Sequence, residues 1–425
     1  MADPSATPRT PASDLTRRRV RIIVISLLAG AVAARLGARF AQGEAQYFLQ
    51  GYTSFYRLAE IIVSNGEVCL GEACPRPPLY PLLLVPAVLA GKNWLFIIVP
   101  QAMIGAGTAL MTFLIGRTIF DARVGLLACA AVAFYPYYVV HDTALQDTAL
   151  ATFTLTLAVW LTLRASTYRR PRNWIAAGAA LGTIVLVRAA LAPSVVLMLV
   201  WIAVATPGSW RARLRGGLIA TTATLAVLSP WLVHTARVTG TPAITTDAGY
   251  ELWVGNNPYT FSRFPVDSID ASSAFARLRF SDEERAALRA SPGNPRTWNG
   301  WFGQRARDYI ARHPEETLRD ALRKIAIALS WRITPHRDGA TQWIYAGTYL
   351  PIALLGTAGM VLTWRRPETL LVALLFGAFI GVTAVFSAQT SHRIYLDIFW
   401  AIYAAFIVAC TARTISSRSL QRFTA

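Results

Sequence analysis

Long apolar runs separated by short arginine-rich segments make up most of this chain. A membrane-crossing helix needs about 20 apolar residues. Runs that meet the requirement, or come near it, lie at roughly 20–39, 94–116, 123–140, 147–164, 173–190, 192–206, 216–234, 344–363, 369–387 and 394–412. An eleventh run, Leu79 to Gly91, falls about a turn or two short and carries Pro81 and Pro86. The pattern predicts an all-α polytopic membrane protein of ten spans with two outer loops.

The basic residues decide how to count the short run. If it does not cross, one side collects Arg17 to Arg19, Arg117 and Arg123, Arg164 to Arg172, Arg211 to Arg215, Arg365 and Arg366, and Arg413 to Arg422. That is the positive-inside arrangement, and counting 79–91 as a span would invert every later loop. The run is therefore expected to lie at the outer surface or to be partly re-entrant. Residues 1–19 read as a disordered cytoplasmic segment and 413–425 as a cytoplasmic tail. Spans 1–7 occupy 20–234, with a first outer loop at 40–93, and spans 8–10 occupy 344–412. No small-x-small cleavage site follows the first run before Arg35 and Arg39, so it is expected to remain as a helix.

The second outer loop, 235–343, is far more polar than the rest. Ser281-Asp-Glu-Glu284 is a capping-box start for a helix. From Trp298 to Trp331 apolar residues recur at helical spacing, which predicts two amphipathic helices broken at Pro314.

Composition agrees with the pattern. Of 425 residues, 54% are hydrophobic and only 15% charged, where a soluble domain carries about a quarter. The mean hydropathy is +0.40. The net charge of +18 is almost all arginine and sits at the ends of apolar runs, where it orients helices; this argues against a nucleic-acid partner. Cys129 and Cys410 lie within apolar runs. Cys69 and Cys74 lie in a polar stretch, where an external position would allow a disulfide. No Walker or dinucleotide glycine motif is present, so any transfer chemistry must use an already activated substrate. No Cys/His spacing specifies zinc, and the residues leave a divalent cation open.

Charged residues at the outer ends of spans are the candidates for chemistry. Glu44, after span 1, has the character of a general base, with Glu60 farther along the loop. Asp142 and Asp147, in the tight loop that begins at His141, can converge on one cleft; Asp147 can equally cap span 4. Arg76, beside Tyr80 in a Pro-rich segment, can bind a phosphate. Arg188, inside an apolar run, needs a protein acid or a ligand phosphate as partner. His392, Arg393 and Tyr395 open the last span, with Asp397 one turn on as an i,i+4 partner for Arg393.

The order of these motifs resembles the bacterial C-type membrane glycosyltransferases, in particular the protein-mannosyltransferase-like and aminoarabinose-transferase-like group. The matching pieces are Tyr56-Arg-Leu-Ala59, Arg76-Pro-Pro-Leu-Tyr-Pro81, Phe134-Tyr-Pro136, Asp147-Thr-Ala-Leu150 and Val187-Arg188. Pro230-Trp231 with Gly240, Gly249-Tyr-Glu-Leu-Trp-Val-Gly-Asn-Asn-Pro258, Asp308-Tyr-Ile-Ala-Arg-His-Pro314 and His392-Arg393 with Tyr395 follow. The resemblance implies a sugar donor on a polyprenyl phosphate and a lipid, glycan or protein acceptor. It also implies a site on the outer face of the cytoplasmic membrane, with Asn256 and Asn257 near the sugar. It implies an acid from the first outer loop, and Glu44 is the nearest match. The chain departs from the family pattern there, with Gly43 before the Glu, and again after Pro230-Trp231, where His234 and Thr235 stand.

Two other classes fit less well. A transporter or flippase would show paired half-repeats with broken helices at mid-membrane, and no halves are found. A lipid-glycan ligase or polymerase would concentrate its charged motifs in the large loop, whereas the candidate acids fall mainly in the first two outer loops.

Overall fold

The computed structural model describes residues 11–50, 53–289 and 295–423, whose regular elements are helices with no strand among them; an isolated bridge joins Leu70 and Ala73. In chain order the α-helices are α1 (Pro11–Gln42), α2 (Glu44–Gln50), α3 (Thr53–Asn65), α4 (Leu79–Leu89), α5 (Leu95–Ile119), α6 (Ala122–Phe134) and α7 (Pro136–His141). Next come α8 (Thr148–Tyr168), α9 (Pro171–Val187), α10 (Ala192–Ala205) and α11 (Trp210–Thr239). The large loop holds α12 (Ala248–Gly255), α13 (Ile269–Leu278), α14 (Asp282–Arg289), α15 (Pro295–Arg312) and α16 (Pro314–Ala328). The chain then ends with α17 (Gly339–Leu362), α18 (Pro367–Val385) and α19 (Ile394–Phe423).

Among the described residues, seven segments are long and apolar enough to cross a membrane, falling in α1, α5, α8, α11, α17, α18 and α19. The three other expected spans fall on shorter helices. One of them, 123–140, is divided at Pro136 into α6 and α7, because proline cannot donate within a continuing helix. The protein is an all-α, multi-pass membrane protein. The first ten residues of the segment expected to be disordered lie outside the described residues. Helix α1 begins at Pro11, within that segment. Helix α19 likewise runs through the segment expected as a tail as far as Phe423. Helix α4 spans about 16 Å, half the thickness of a bilayer core, and packs on α3 and α5.

Small residues let the long helices approach closely. A Cβ on Gly178 would lie 2.2 Å from the Ala220 carbonyl oxygen, and one on Gly182 2.8 Å from that of Thr224. This small-xxx-small stripe brings α9 against α11, and Thr224 Oγ1 donates across the contact to Gly178 O at 3.0 Å.

The large loop has its own core. The capping box forms as expected, with Glu284 N donating to Ser281 Oγ at 3.2 Å and Ser281 N to Glu284 Oε2 at 2.6 Å. The expected break at Pro314 separates α15 from α16. Tyr250, Trp253, Phe280, Trp298, Trp301 and Phe302 pack ring on ring and bind α12 to α15.

Candidate active site

A cavity of about 540 Å³ lies where the first outer loop, the α7–α8 connection, the large loop and the start of α19 meet. The approach to it begins at a disulfide. Cys69 and Cys74 are bonded, and the two backbones at Cys74 and Thr246 are locked together. Thr246 N donates to Cys74 O at 3.0 Å, and Cys74 N donates to Thr246 Oγ1 at 3.0 Å. Arg76 follows two residues later and Asp247 one residue later, so the pairing fixes them face to face. Arg76 Nη1 lies 3.9 Å from both Asp247 Oδ2 and Glu251 Oε1. Its guanidinium also sits 5.7 Å from the centre of the Phe55 ring, on α3.

On the opposite wall Asp147 stands at the N-terminal cap of α8, but its carboxylate caps no helix amide. Both oxygens instead accept from Arg188, with Nε to Oδ2 at 2.9 Å and Nη2 to Oδ1 closer still. Arg188 Nη2 also reaches Thr148 Oγ1 at 3.3 Å. Arg188 is placed there by a break in helical structure: its backbone is extended between α9 and the 3-10 turn Ala189–Leu191. From the large loop, Asp270 accepts from Gln389 Nε2 at 2.8 Å. His392 and Tyr395 also line the cavity, and Phe379 and Val382 of α18, with Phe386 just past its end, form an apolar side.

Burial holds two carboxyls of the cavity, Glu251 and Asp247, above their ordinary range. Glu251 is pushed up to about 7 by burial and by repulsion from Asp247 and Asp270, with Arg76 opposing. Asp247 is raised by burial against the pull of Arg76. No three or more His, Cys, Asp or Glu side chains among the described residues stand close enough to hold a metal ion.

Of the residues expected from sequence, the cavity gathers Arg76, Asp147, Arg188, His392 and Tyr395. The rest lie elsewhere. Glu44 is exposed at the start of α2 and does not line the cavity. Asp142 is sealed in an ion pair with Arg35 at 2.8 Å, each side chain at most 2% exposed. Arg393 is equally enclosed, at 2.8 Å from Asp397, and donates to Ala328 O and Tyr345 Oη. Asn256 and Asn257 spend their amide groups on backbone carbonyls, Asn256 on Leu252 O and Val385 O, Asn257 on Trp253 O. Tyr80 is buried against the edge of Phe55. His141 pairs with Gln146 and packs on Tyr137.

Sequence reading missed Asp247, Glu251 and Asp270, three isolated acids that only the folded loop brings together. It also missed Gln101, whose buried amide donates to Asp142 O and Ala144 O at 2.9 and 2.8 Å and so holds the loop that carries Asp147. The available signal was a carboxylate, Glu251, among aromatic residues in the Gly249–Pro258 segment.

Residues 75–234 match the family described as dolichyl-phosphate-mannose-protein mannosyltransferase. None of the curated proteins matches the chain. Among solved structures, the oligosaccharyltransferase AglB from Archaeoglobus fulgidus, in complex with an inhibitory peptide and a dolichol-phosphate, superposes over 96% of this chain. The TM-score is 0.55 and the identity 12%. The same enzyme tethered to an acceptor peptide superposes over 92% of this chain at a TM-score of 0.52 and 12% identity. The fold is that of these oligosaccharyltransferase structures. The chain spans about half of those structures, 52% and 49% of their length. The family match covers Arg76, Asp147 and Arg188 and stops before the three acids of the large loop.

Proposed function

We propose that the protein is a membrane glycosyltransferase that moves a sugar from a polyprenyl-phosphate donor to an acceptor at the outer face of the cytoplasmic membrane, with inversion. The observation that carries this reading is the make-up of one cavity. Two arginines, Arg76 and Arg188, line it together with carboxylates, beside an apolar wall at the end of α18. A lipid-phosphate sugar has matching parts: an apolar tail, an anionic linkage and a polar sugar.

In this reading the prenyl chain lies along Phe379, Val382 and Phe386. The phosphate docks at Arg188 and Arg76, whose guanidinium groups offset the charge that grows on the leaving oxygen. Arg188 stays held by Asp147, which orients it. The acceptor approaches from the large-loop side, where the acids stand. Its nucleophile attacks the anomeric carbon opposite the departing phosphate, which inverts that centre.

The test is direct. Protein in lipid nanodiscs is offered undecaprenyl phosphate and binding is read by native mass spectrometry. Polyprenyl-phosphate sugars extracted from the producing cells are then supplied with membranes of those cells as acceptor, and released polyprenyl phosphate is measured. Binding with release supports the reading, and absence of both overturns it. Transbilayer movement of the lipid without release would favour a flippase instead.

A further inference from the structure

We propose that Glu251 of the large loop, and not a carboxylate of the first outer loop, takes the acceptor's proton in the transfer reaction. The inference rests on the reading above and names its base.

Elimination by geometry comes first. A general base must reach the reacting proton and must hold an electron pair that is not already committed. Glu44 is exposed and away from the cavity. Asp142 is enclosed on Arg35. Asp147 accepts from Arg188 through both oxygens, so its carboxylate is already committed to that guanidinium. Asp270 receives the Gln389 amide on one oxygen, and its other oxygen is shut from solvent. Asp247 precedes α12 without capping it; it is bonded to Thr245 and its side chain is only 17% exposed. Glu251 lines the cavity, its side chain is 32% exposed, and its contact with Arg76 is a loose 3.9 Å.

Placement comes second. Glu251 is borne by a short helix fixed at both ends. Asn299 Oδ1 accepts from Gly249 N and Tyr250 N at 2.7 and 3.1 Å. At the other end Gly255 lies so close to α18 that a Cβ there would be 2.3 Å from Phe386 O. The helix therefore holds Glu251 toward the same α18 segment that forms the apolar wall. A base on a packed element keeps its geometry better than one on a mobile loop.

Charge comes third. The groups that face Glu251 are Asp247 on its own helix, Arg76 beyond the disulfide loop and Asp270 on α13, with Asp147, Arg188 and His392 across the cavity. Burial and the two neighbouring acids outweigh Arg76, so the carboxyl titrates near neutrality, where a general base works best. In the step, the acceptor O–H bond breaks and its proton goes to a Glu251 Oε. The acceptor oxygen bonds to the anomeric carbon. The bond from that carbon to the phosphate oxygen breaks, and its electron pair leaves on polyprenyl phosphate.

The experiment compares wild type, Glu251→Gln, Glu251→Asp and Glu44→Gln in nanodiscs, using undecaprenyl phosphate binding and the release assay above. Glu251→Gln should bind undecaprenyl phosphate as wild type does and lose release by roughly 100-fold or more. Glu251→Asp should keep measurable release with the acid limb of its pH profile moved. Should Glu251→Gln not fold, the profile of Glu251→Asp decides, and an acid limb that does not move overturns the inference. Release by a folded Glu251→Gln within about 3-fold of wild type also overturns it, as does loss of release in Glu44→Gln alone. Wild type that neither binds undecaprenyl phosphate nor releases it removes the functional reading itself, a result distinct from either.

Discussion

Lys324 Nζ donates to the carbonyl oxygen of Gly255 at 3.0 Å, and it does so from a fully buried side chain. The same ammonium lies 3.5 Å from Val385 O, where Asn256 Nδ2 also donates at 2.7 Å. One cation thus joins the C-terminal ends of α12 and α18, ends that carry partial negative charge. Helix α12 carries Glu251 and α18 carries the apolar wall, so α16 ties together the two sides of the cavity.

Replacing Lys324 with Met keeps the length and removes the donor. The loss should be about 1–3 kcal/mol, the usual result of leaving buried carbonyls unsatisfied. Burial pushes Lys324 down to about 8, below its ordinary 10.5 and against the pull of Asp320. Between those values the unfolded chain holds a proton that the folded chain has released. Its contribution to stability therefore rises with pH across that window. Thermal midpoints in detergent from pH 7.5 to 10.5 should show this rise in wild type, and it should shrink in Lys324→Met. Parallel curves for the two proteins would contradict the assignment.

Glu251 has the opposite sign. Its folded value of about 7 stands above the ordinary 4.5. The folded chain therefore holds the extra proton between those values, and its stabilising contribution is lost as pH rises through 7. Glu251→Gln removes a charge that is costly to bury. The variant should melt higher than wild type at pH 7.5 while transferring less, and the gap in midpoint should close toward pH 4.5. A lower midpoint at pH 7.5 would mean that the carboxylate is held for stability.

Asp142 and Arg35 make a further case, in which a candidate for chemistry is committed to structure. Arg35 Nε donates to Asp142 at 2.8 Å and Nη1 to Ala133 O at 2.8 Å, so α1 is stitched both to α6 and to the turn that follows α7. Breaking a buried pair from one side costs about 3–5 kcal/mol, whereas apolar replacement of both partners can be nearly neutral. Asp142→Asn and Arg35→Met should each reduce folded yield. Arg35→Met with Asp142→Leu should recover part of it, as read by fluorescence-detected size-exclusion chromatography. A well-folded, inactive Asp142→Asn would return the residue to the chemistry.

The long spans were legible because membrane solubility writes them as unbroken apolar runs. The break at Pro314 and the capping box at Ser281 were legible because each is local chemistry, settled within four residues. Arg76, Asp147 and Arg188 stood out as charges at the edges of apolar runs. The acids of the large loop did not, since Asp247, Glu251 and Asp270 are ordinary polar-loop residues until the Cys74–Thr246 pairing and the aromatic core place them. The roles of Asn256 and Asn257 in the packing were not legible: the Asn256 amide joins the end of α12 to α18, and the Asn257 amide closes the end of α12 on itself. Arg393 and Asp397 were separable from the site only by their enclosure.

The Cys69–Cys74 disulfide joins topology to function, because it lies two residues before Arg76 and its loop anchors Thr246 beside Asp247. Closing so small a loop contributes about 2 kcal/mol in the chain-entropy account. If the first outer loop faces outward, a membrane-impermeant thiol reagent should label wild type in intact cells after mild reduction. The double variant Cys69→Ser, Cys74→Ser should not be labelled there. Labelling only in inverted vesicles would reverse the assigned orientation. The double variant should also bind undecaprenyl phosphate several-fold more weakly, because Arg76 is no longer held opposite Asp247 and Glu251. Arg76→Ala should weaken binding by a similar factor. Combining all three changes should weaken it little further, since both act on one guanidinium. Full additivity would show that the disulfide supports the loop without placing Arg76.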